Sequence, residues 1–299
     1  MKIMKSAGIR GKRNQNRIDS KEINDEFVVD FPLSPFQKRA LSIIYDMRAV
    51  TTSQLVRITG NNYDYAVEKM LQLHLNGFVL RKFPRREIGQ GGSNEAYYLL
   101  DRAGAIFIAG SQGIGLKDVK WELRDNLIDF EKLTHTLQIS EIRAILEQEA
   151  KKNNHIIENC LSDRHLYISF TYEDKNYYLR PDMFLVYNDK FNLHIYLCEI
   201  DMGTMAIKGF SRKTSSFIDK IPTYEALRLS GEYKKYFEVY PRILVFTTTK
   251  NRALQMADAV NERQQTKAEF LFTTFDFFKD NSLGRVFKKA NGEVTSMFD

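Results

Sequence analysis

The feature that most constrains this chain is a change of hydrophobic period near residue 156. Before it, apolar residues recur at helical spacing; after it, they gather in short β-rich runs. The runs are residues 166–172, 177–187, 194–202, 242–248 and 270–275. A helical stretch precedes them at 133–151, and two more, 207–229 and 252–264, lie between the later runs. The order α-β-β-β-α-β-α-β predicts an α/β domain built on one mixed sheet. No repeat of solenoid length is present.

The N-terminal third has a different pattern. Ser34 and Pro35 are suited to the cap and first position of a helix carrying Phe36, Ala40, Leu41, Ile44 and Met47 on one stripe. Thr51 and Gln54 fit a capping box for a short helix that stops at Gly60. A third helix, 63–76, ends at Gly77, where a left-handed residue is expected. Two strands follow, 78–83 and 96–100, joined by a polar loop that holds three glycines. Three helices and a hairpin predict a winged helix-turn-helix. Residues 110–115, rich in glycine, mark the boundary, and a further helix is expected at 118–131. The domains expected are a tail (1–33), a winged helix (34–110) and an α/β domain (111–299), an α+β and α/β chain overall.

Charge is partitioned along the same lines. Residues 1–17 hold six bases and no acid, equal to the net charge of +6. Residues 18–33 carry one base and five acids, residues 34–110 ten bases and six acids, and residues 111–299 carry 27 of each. The basic and acidic segments lack sustained apolar periodicity, which predicts flexibility up to about Asp30. A hydrophobic content of 43% is ample for packed cores and excludes general disorder. No apolar run approaches the roughly 20 residues that cross a bilayer, so a soluble, cytoplasmic protein is expected. Two cysteines, Cys160 and Cys198, are too few for a disulfide framework or four-thiolate zinc site and read as buried, reduced thiols.

The winged-helix reading points to double-stranded DNA. The 63–76 helix suits the major groove, with Asn61, Asn62, Tyr63, Asp64, Tyr65 and Lys69 at its start, while Arg81, Lys82, Arg85 and Arg86 flank the loop and could neutralise phosphates. Asp64 and Glu68 keep this helix weakly basic, so protein contact is the alternative. The basic tail either adds salt-sensitive affinity or acts as a solubilising terminus.

In the α/β half, Arg180-Pro181-Asp182 precedes Cys198-Glu199-Ile200-Asp201. Glu199 and Asp201, two apart on a strand, share a face. Pairing of the two strands as a hairpin would bring Asp182 opposite them and make a three-carboxylate cluster, which needs a cation or retained protons. Such hard oxygen ligands suit Mg²⁺ or Mn²⁺. The alternative is a set of exposed carboxylates at a sheet edge.

These motifs resemble the PD-(D/E)xK nuclease superfamily, a restriction-endonuclease-like fold. The resemblance matches Pro181-Asp182 and Glu199 to the motif and leaves Asp201 at the usual lysine position. It implies metal ligation by Asp182 and Glu199, catalytic roles for Asp182, Glu199 and Asp201, and a lysine from the next helix, for which Lys208, Lys213 and Lys220 are available. Glu141 would be an additional acid, or else a solvated helix position. The order of the winged helix, the His135 helix, Arg180-Pro181-Asp182, residues 199–204 and residues 220–224 is also similar to the replication-relaxation family of plasmids and mobile elements. That resemblance implies DNA binding in replication, relaxation or mobilisation, with metal-dependent nicking in which Lys220 orients phosphate or water. The alternative is a non-catalytic accessory protein that uses the fold to dock replication or transfer proteins or a second copy of itself. His135 is either a carboxylate or phosphate contact or a packing residue. Tyr224 invites a nucleophile reading, but no His-x-His pair accompanies it.

Overall fold

The computed structural model describes residues 17–84, 95–204, 207, 217–263 and 268–299. Local capping sets most of the early helices. Asn24 accepts from the Phe27 amide at 2.8 Å and opens α1 (Asp25–Asp30). Ser34 and Gln37 form a reciprocal capping box on α2 (Pro35–Met47), with Pro35 in the first turn. After β1 (Ala49–Thr51), Thr51 and Gln54 make a second box on α3 (Thr52–Thr59). Gly60 closes α3 in the left-handed region at φ 78°, and Asn62 caps α4 (Tyr63–Leu75). The strands β2 (Val79–Lys82) and β3 (Tyr97–Leu100) pair antiparallel, and β1 adds to the other edge of β3. Helix α5 (Arg102–Gln112) follows, then α6 (Phe130–Asn153).

The chain divides into two compact units, residues 1–144 and 145–299, so α6 runs through the division. The glycine-rich stretch 110–115 lies inside the first unit. There, Leu41, Ile44, Met47, Leu55, Met70, Leu73, Phe78 and Tyr98 are buried, each large aliphatic contributing about 1.5–3 kcal/mol. The first half of α6 docks on α3 and β1: Ser140 donates to the Ala49 carbonyl at 2.6 Å, Gln54 to the Leu137 carbonyl at 3.0 Å, and Arg57 pairs with Glu141.

Two expectations for this unit are overturned. The segment 18–33 is not a flexible spacer: Ile18, Ile23, Phe27, Val28 and Phe31 are buried, the Ile18 amide bonds to the Leu75 carbonyl at 2.9 Å, and the Phe31 ring lies 4.9 Å from Phe78. Arg17, counted with the basic tail, donates to the His74 carbonyl at 3.0 Å and pairs with Asp101. Gly77 makes this packing possible, because at φ +73° it both turns the chain and leaves room that a Cβ would contest with the Ile23 side chain. A receiving surface of this kind has no signature in a short apolar segment. Residues 118–129 likewise form no α-helix. Short 3-10 turns at Leu116–Asp118 and Leu123–Asn126 replace it, tied down by Trp121 Nε1 bonding to the Leu100 carbonyl at 3.0 Å.

The second unit is built on β4 (Ile156–Ser162), β5 (Ile168–Tyr172), β6 (Lys175–Leu179), β7 (Met183–Asn188), β8 (Leu193–Asp201), α7 (Phe217–Ser230), β9 (Arg242–Thr247), α8 (Lys250–Arg263), β10 (Phe270–Thr274), α9 (Phe275–Asn281), β11 (Phe287–Lys289) and β12 (Val294–Thr295). Seven strands form one mixed sheet in the order β12-β11-β10-β9-β8-β7-β4, with β8, β9 and β10 parallel. The fold is therefore mixed α/β around a large mixed sheet. Helices α7 and α8 cover one face through Leu197, Ile221, Leu227, Val245, Met256 and Phe272.

The run at 177–187 is broken. Pro181 has no N–H to donate to a ladder, and the chain leaves one sheet and enters another across Arg180-Pro181-Asp182. Residues before it form β6, which pairs only with β5 in a separate hairpin; residues after it form β7. The helix expected from residue 207 is described from Phe217. Among the described residues no helix is long and apolar enough to cross a membrane.

Candidate functional site

Antiparallel pairing of β7 and β8 places Met183 opposite Cys198, so Asp182 falls beside Glu199. Asp182 Oδ2 accepts from the Ile200 amide at 2.7 Å. Glu199, only 4% exposed, points from β8 toward α7. Lys220 and Tyr224 are four apart on that helix and reach the same carboxylate: Lys220 Nζ lies 2.5 Å from Oε2, and the Tyr224 hydroxyl donates to Oε1 at 2.6 Å. Asp163, just beyond β4, donates its amide to the Asp182 carbonyl at 3.0 Å and adds its charge to the field at Lys220.

The electrostatics follow from burial and these neighbours. Burial raises the Glu199 pKa, Lys220 opposes the rise and Asp182 adds to it, leaving the carboxyl at about 7. For Lys220, burial favours the neutral amine, but Glu199, Asp182 and Asp163 outweigh it and hold the ammonium. Burial and the adjacent Glu199 push the Tyr224 phenol well above its ordinary value. Tyr224, fully buried and protonated, is therefore a hydrogen-bond donor that orients Glu199; its surroundings do not suit a nucleophile.

Asp201 does not join this group. Arg252 of α8 grips both its oxygens, with Nη2 at 2.7 Å from Oδ1, and Thr247 donates to Oδ2 at 2.5 Å. Its charge is balanced within the sheet face, so the expected three-carboxylate cluster reduces to Asp182 and Glu199, with Asp163 as the further neighbour. Among the described residues no group of three or more His, Cys, Asp or Glu side chains is arranged to hold a metal ion. Glu141, the expected additional acid, is held instead by Arg57 and by Gln54 at 3.2 Å. His135 lies half-buried on α6. Cys160 and Cys198 are buried free thiols, as expected. Lys208 and Lys213 lie outside the described residues.

A family model described as replication-relaxation matches residues 41–243, well over half of the chain. The chain belongs to the replication-relaxation family. The replication-relaxation match includes Asp163, Asp182, Glu199, Lys220 and Tyr224, and ends before Arg252. Its description points to a role in replication or relaxation. Neither the curated proteins nor the solved structures gave a match.

The residues expected to meet DNA are spread over the first unit. Asn62 uses its side chain to cap α4, accepting from the Asp64 amide at 2.9 Å, while Tyr63 is exposed beside it. Tyr65 packs edge-on against Phe36 at 5.5 Å, and Lys69 lies over Tyr65 and pairs with Glu68 at 3.4 Å. Asn61 is half-buried and Asp64 exposed. Arg81 stacks on the exposed Phe83 at 4.8 Å, and Lys82 Nζ donates to the Asn126 carbonyl at 2.5 Å. Arg85 and Arg86 lie outside the described residues.

Sequence reasoning missed Asp163, Tyr224 as a positioning donor, and the Asp201–Arg252 pair. Asp163 had a signal: once β4 pairs with β7 through Ser162 and Met183, the next residues to meet are Asp163 and Asp182. Arg252 lies 51 residues from Asp201 and had none.

Proposed function

We propose that this protein binds double-stranded DNA of a plasmid or other mobile element through a winged helix-turn-helix (34–110), and nicks it at a PD-(D/E)xK-like site in residues 111–299. The observation that carries the nuclease reading is the Lys220 ammonium 2.5 Å from Glu199, itself beside Asp182. The helix after the second motif strand thus supplies the cation that the Asp201 position lacks. Asp182 and Glu199 fit a hard cation, since each Glu199 oxygen that accepts one hydrogen bond keeps a second lone pair and Asp182 disfavours a bare charge beside it. Mg²⁺ or Mn²⁺ held there would supply Lewis acidity and lower the pKa of bound water. Lys220 sets a positive charge where phosphate charge develops, and Tyr224 fixes the Glu199 rotamer. In its ionised form Glu199 would hold such a cation together with Asp182.

Supercoiled plasmid carrying the element's own origin, incubated with Mg²⁺ or Mn²⁺, should be nicked by the intact protein and left closed by Asp182→Ala. Absence of nicking with either metal across pH 6–9 sinks the enzyme reading. It would favour a second one, a docking module in which Glu199, engaged at both oxygens, is a structural ion pair. For DNA binding, the duplex association constant should fall steeply with salt, and the slope should flatten when residues 1–16 are removed. Removal is placed before Arg17 because that residue is held in the fold. A salt slope identical with and without the segment excludes it from phosphate contact.

A further inference from the structure

The β5–β6 hairpin places an aromatic pair close in sequence to Asp182. Its inner face, Ile168, Phe170 and Leu179, is buried in the core against α7, the helix that carries Lys220 and Tyr224. Its outer face carries Tyr167 and Tyr178, 51% and 62% exposed, with rings nearly parallel at 17° and centroids 6.1 Å apart. The Arg180 guanidinium lies over the Tyr167 ring at 5.8 Å. The register is pinned by a two-residue turn, Glu173-Asp174, both at positive φ (48° and 58°) as a twisted hairpin requires. The otherwise free edge of β5 is met by Tyr236, whose hydroxyl donates to the Ser169 carbonyl at 3.3 Å. Two large aromatics held in the open on a rigid, core-anchored hairpin gain nothing from burial, and their π faces with an adjacent guanidinium match what unpaired bases and their phosphates offer.

We infer that Tyr167, Tyr178 and Arg180 form a stacking platform for single-stranded DNA, which leads an unpaired strand toward Asp182 and Glu199. Arg180 and Asp182 are two residues apart, so at most roughly 7 Å of extended chain separates them. The inference deepens the nicking proposal and rests on it for direction: a nicking enzyme that stacks bases here acts on a locally melted strand. Stacking tolerates any base, so sequence choice is left to the first unit.

The test uses the full chain and a fluorescein-labelled thymidine 20-mer, with a variant of that strand bearing 5-iodouracil for photocrosslinking. Crosslinks should map to Tyr167 or Tyr178. Tyr178→Ala should weaken single-strand binding by about 5- to 100-fold, with Tyr178→Phe retaining it. Both side chains are exposed, so the circular dichroism melting curve should not move. Crosslinks confined to other segments, or single-strand affinity unchanged in the Tyr167→Ala, Tyr178→Ala double variant, overturn the platform. Asp182→Ala separates the two proposals: it should abolish nicking and leave 20-mer binding intact. A wild type that never nicks but binds the 20-mer through Tyr178 keeps the platform and loses the nuclease; nicking without dependence on either tyrosine does the reverse.

Discussion

Replacing Lys220 with methionine keeps a long side chain on α7 and removes the ammonium from Glu199. In the folded wild type the Glu199 carboxyl holds its proton to about pH 7, against an ordinary value of 4.5 that the unfolded chain adopts. The folded state therefore binds more protons between those values, and stability falls as pH rises through that window, then levels off. Without Lys220 the largest influence that lowers this pKa is gone, and burial with Asp182 carries it higher. The window extends upward, at about 1.4 kcal/mol per pH unit for one proton. Because Lys220 also faces Asp182 and Asp163, the variant should carry some deficit already at pH 6, and that deficit should widen by roughly 1–2 kcal/mol between pH 7 and 9 as only the wild type has finished titrating Glu199. Urea unfolding at pH 6, 7, 8 and 9 measures this. The single tryptophan, Trp121, lies in the first unit, so its fluorescence follows that unit, and a far-UV circular dichroism transition not shared by Trp121 follows the second. A deficit of the same size at pH 6 and pH 9 would falsify the assignment of a neutral-range carboxyl to Glu199.

Three further outcomes follow from named contacts. Asp201→Ala should cost about 1.5–3 kcal/mol by stranding Arg252, and leave Mn²⁺ affinity by calorimetry unchanged; a drop in affinity would return Asp201 to the metal site. Gly77→Ala should destabilise the first unit by about 1–3 kcal/mol, read from Trp121 fluorescence, and Ile23→Ala should recover part of the loss; strictly additive effects would exclude the Ile23 contact as a cause. Glu141→Gln should cost about 1 kcal/mol or less and leave the nicking rate intact, whereas a tenfold slower rate would place Glu141 in the chemistry.

Much of the local order was legible because it is made of neighbours. The boxes at Ser34–Gln37 and Thr51–Gln54 and the turn at Gly77 need only residues within one or two turns of each other. The approach of Asp182 to Glu199 was legible at one remove, since a hairpin of fixed period allows few registers. The segment from Ile18 to Phe31 was misjudged because its apolar residues find their surface on Gly77 and Phe78, far along the chain. The run at 177–187 looked continuous because apolar alternation persists across Pro181, while the missing N–H at that proline divides it between two sheets.

Sequence by itself therefore determined the capped N-terminal helices, the mixed α/β class and the family, since periodicity, capping chemistry and motif order are properties of short stretches and their succession. Tertiary structure alone decided which acids share a field. Glu199 and Asp201 leave the same strand toward the same side, yet one meets Lys220 and Tyr224 of α7 and the other meets Arg252 of α8. Burial beside Asp182 keeps the first near its titration point, and a bidentate guanidinium neutralises the second; the difference lies in which helix covers each end of the strand.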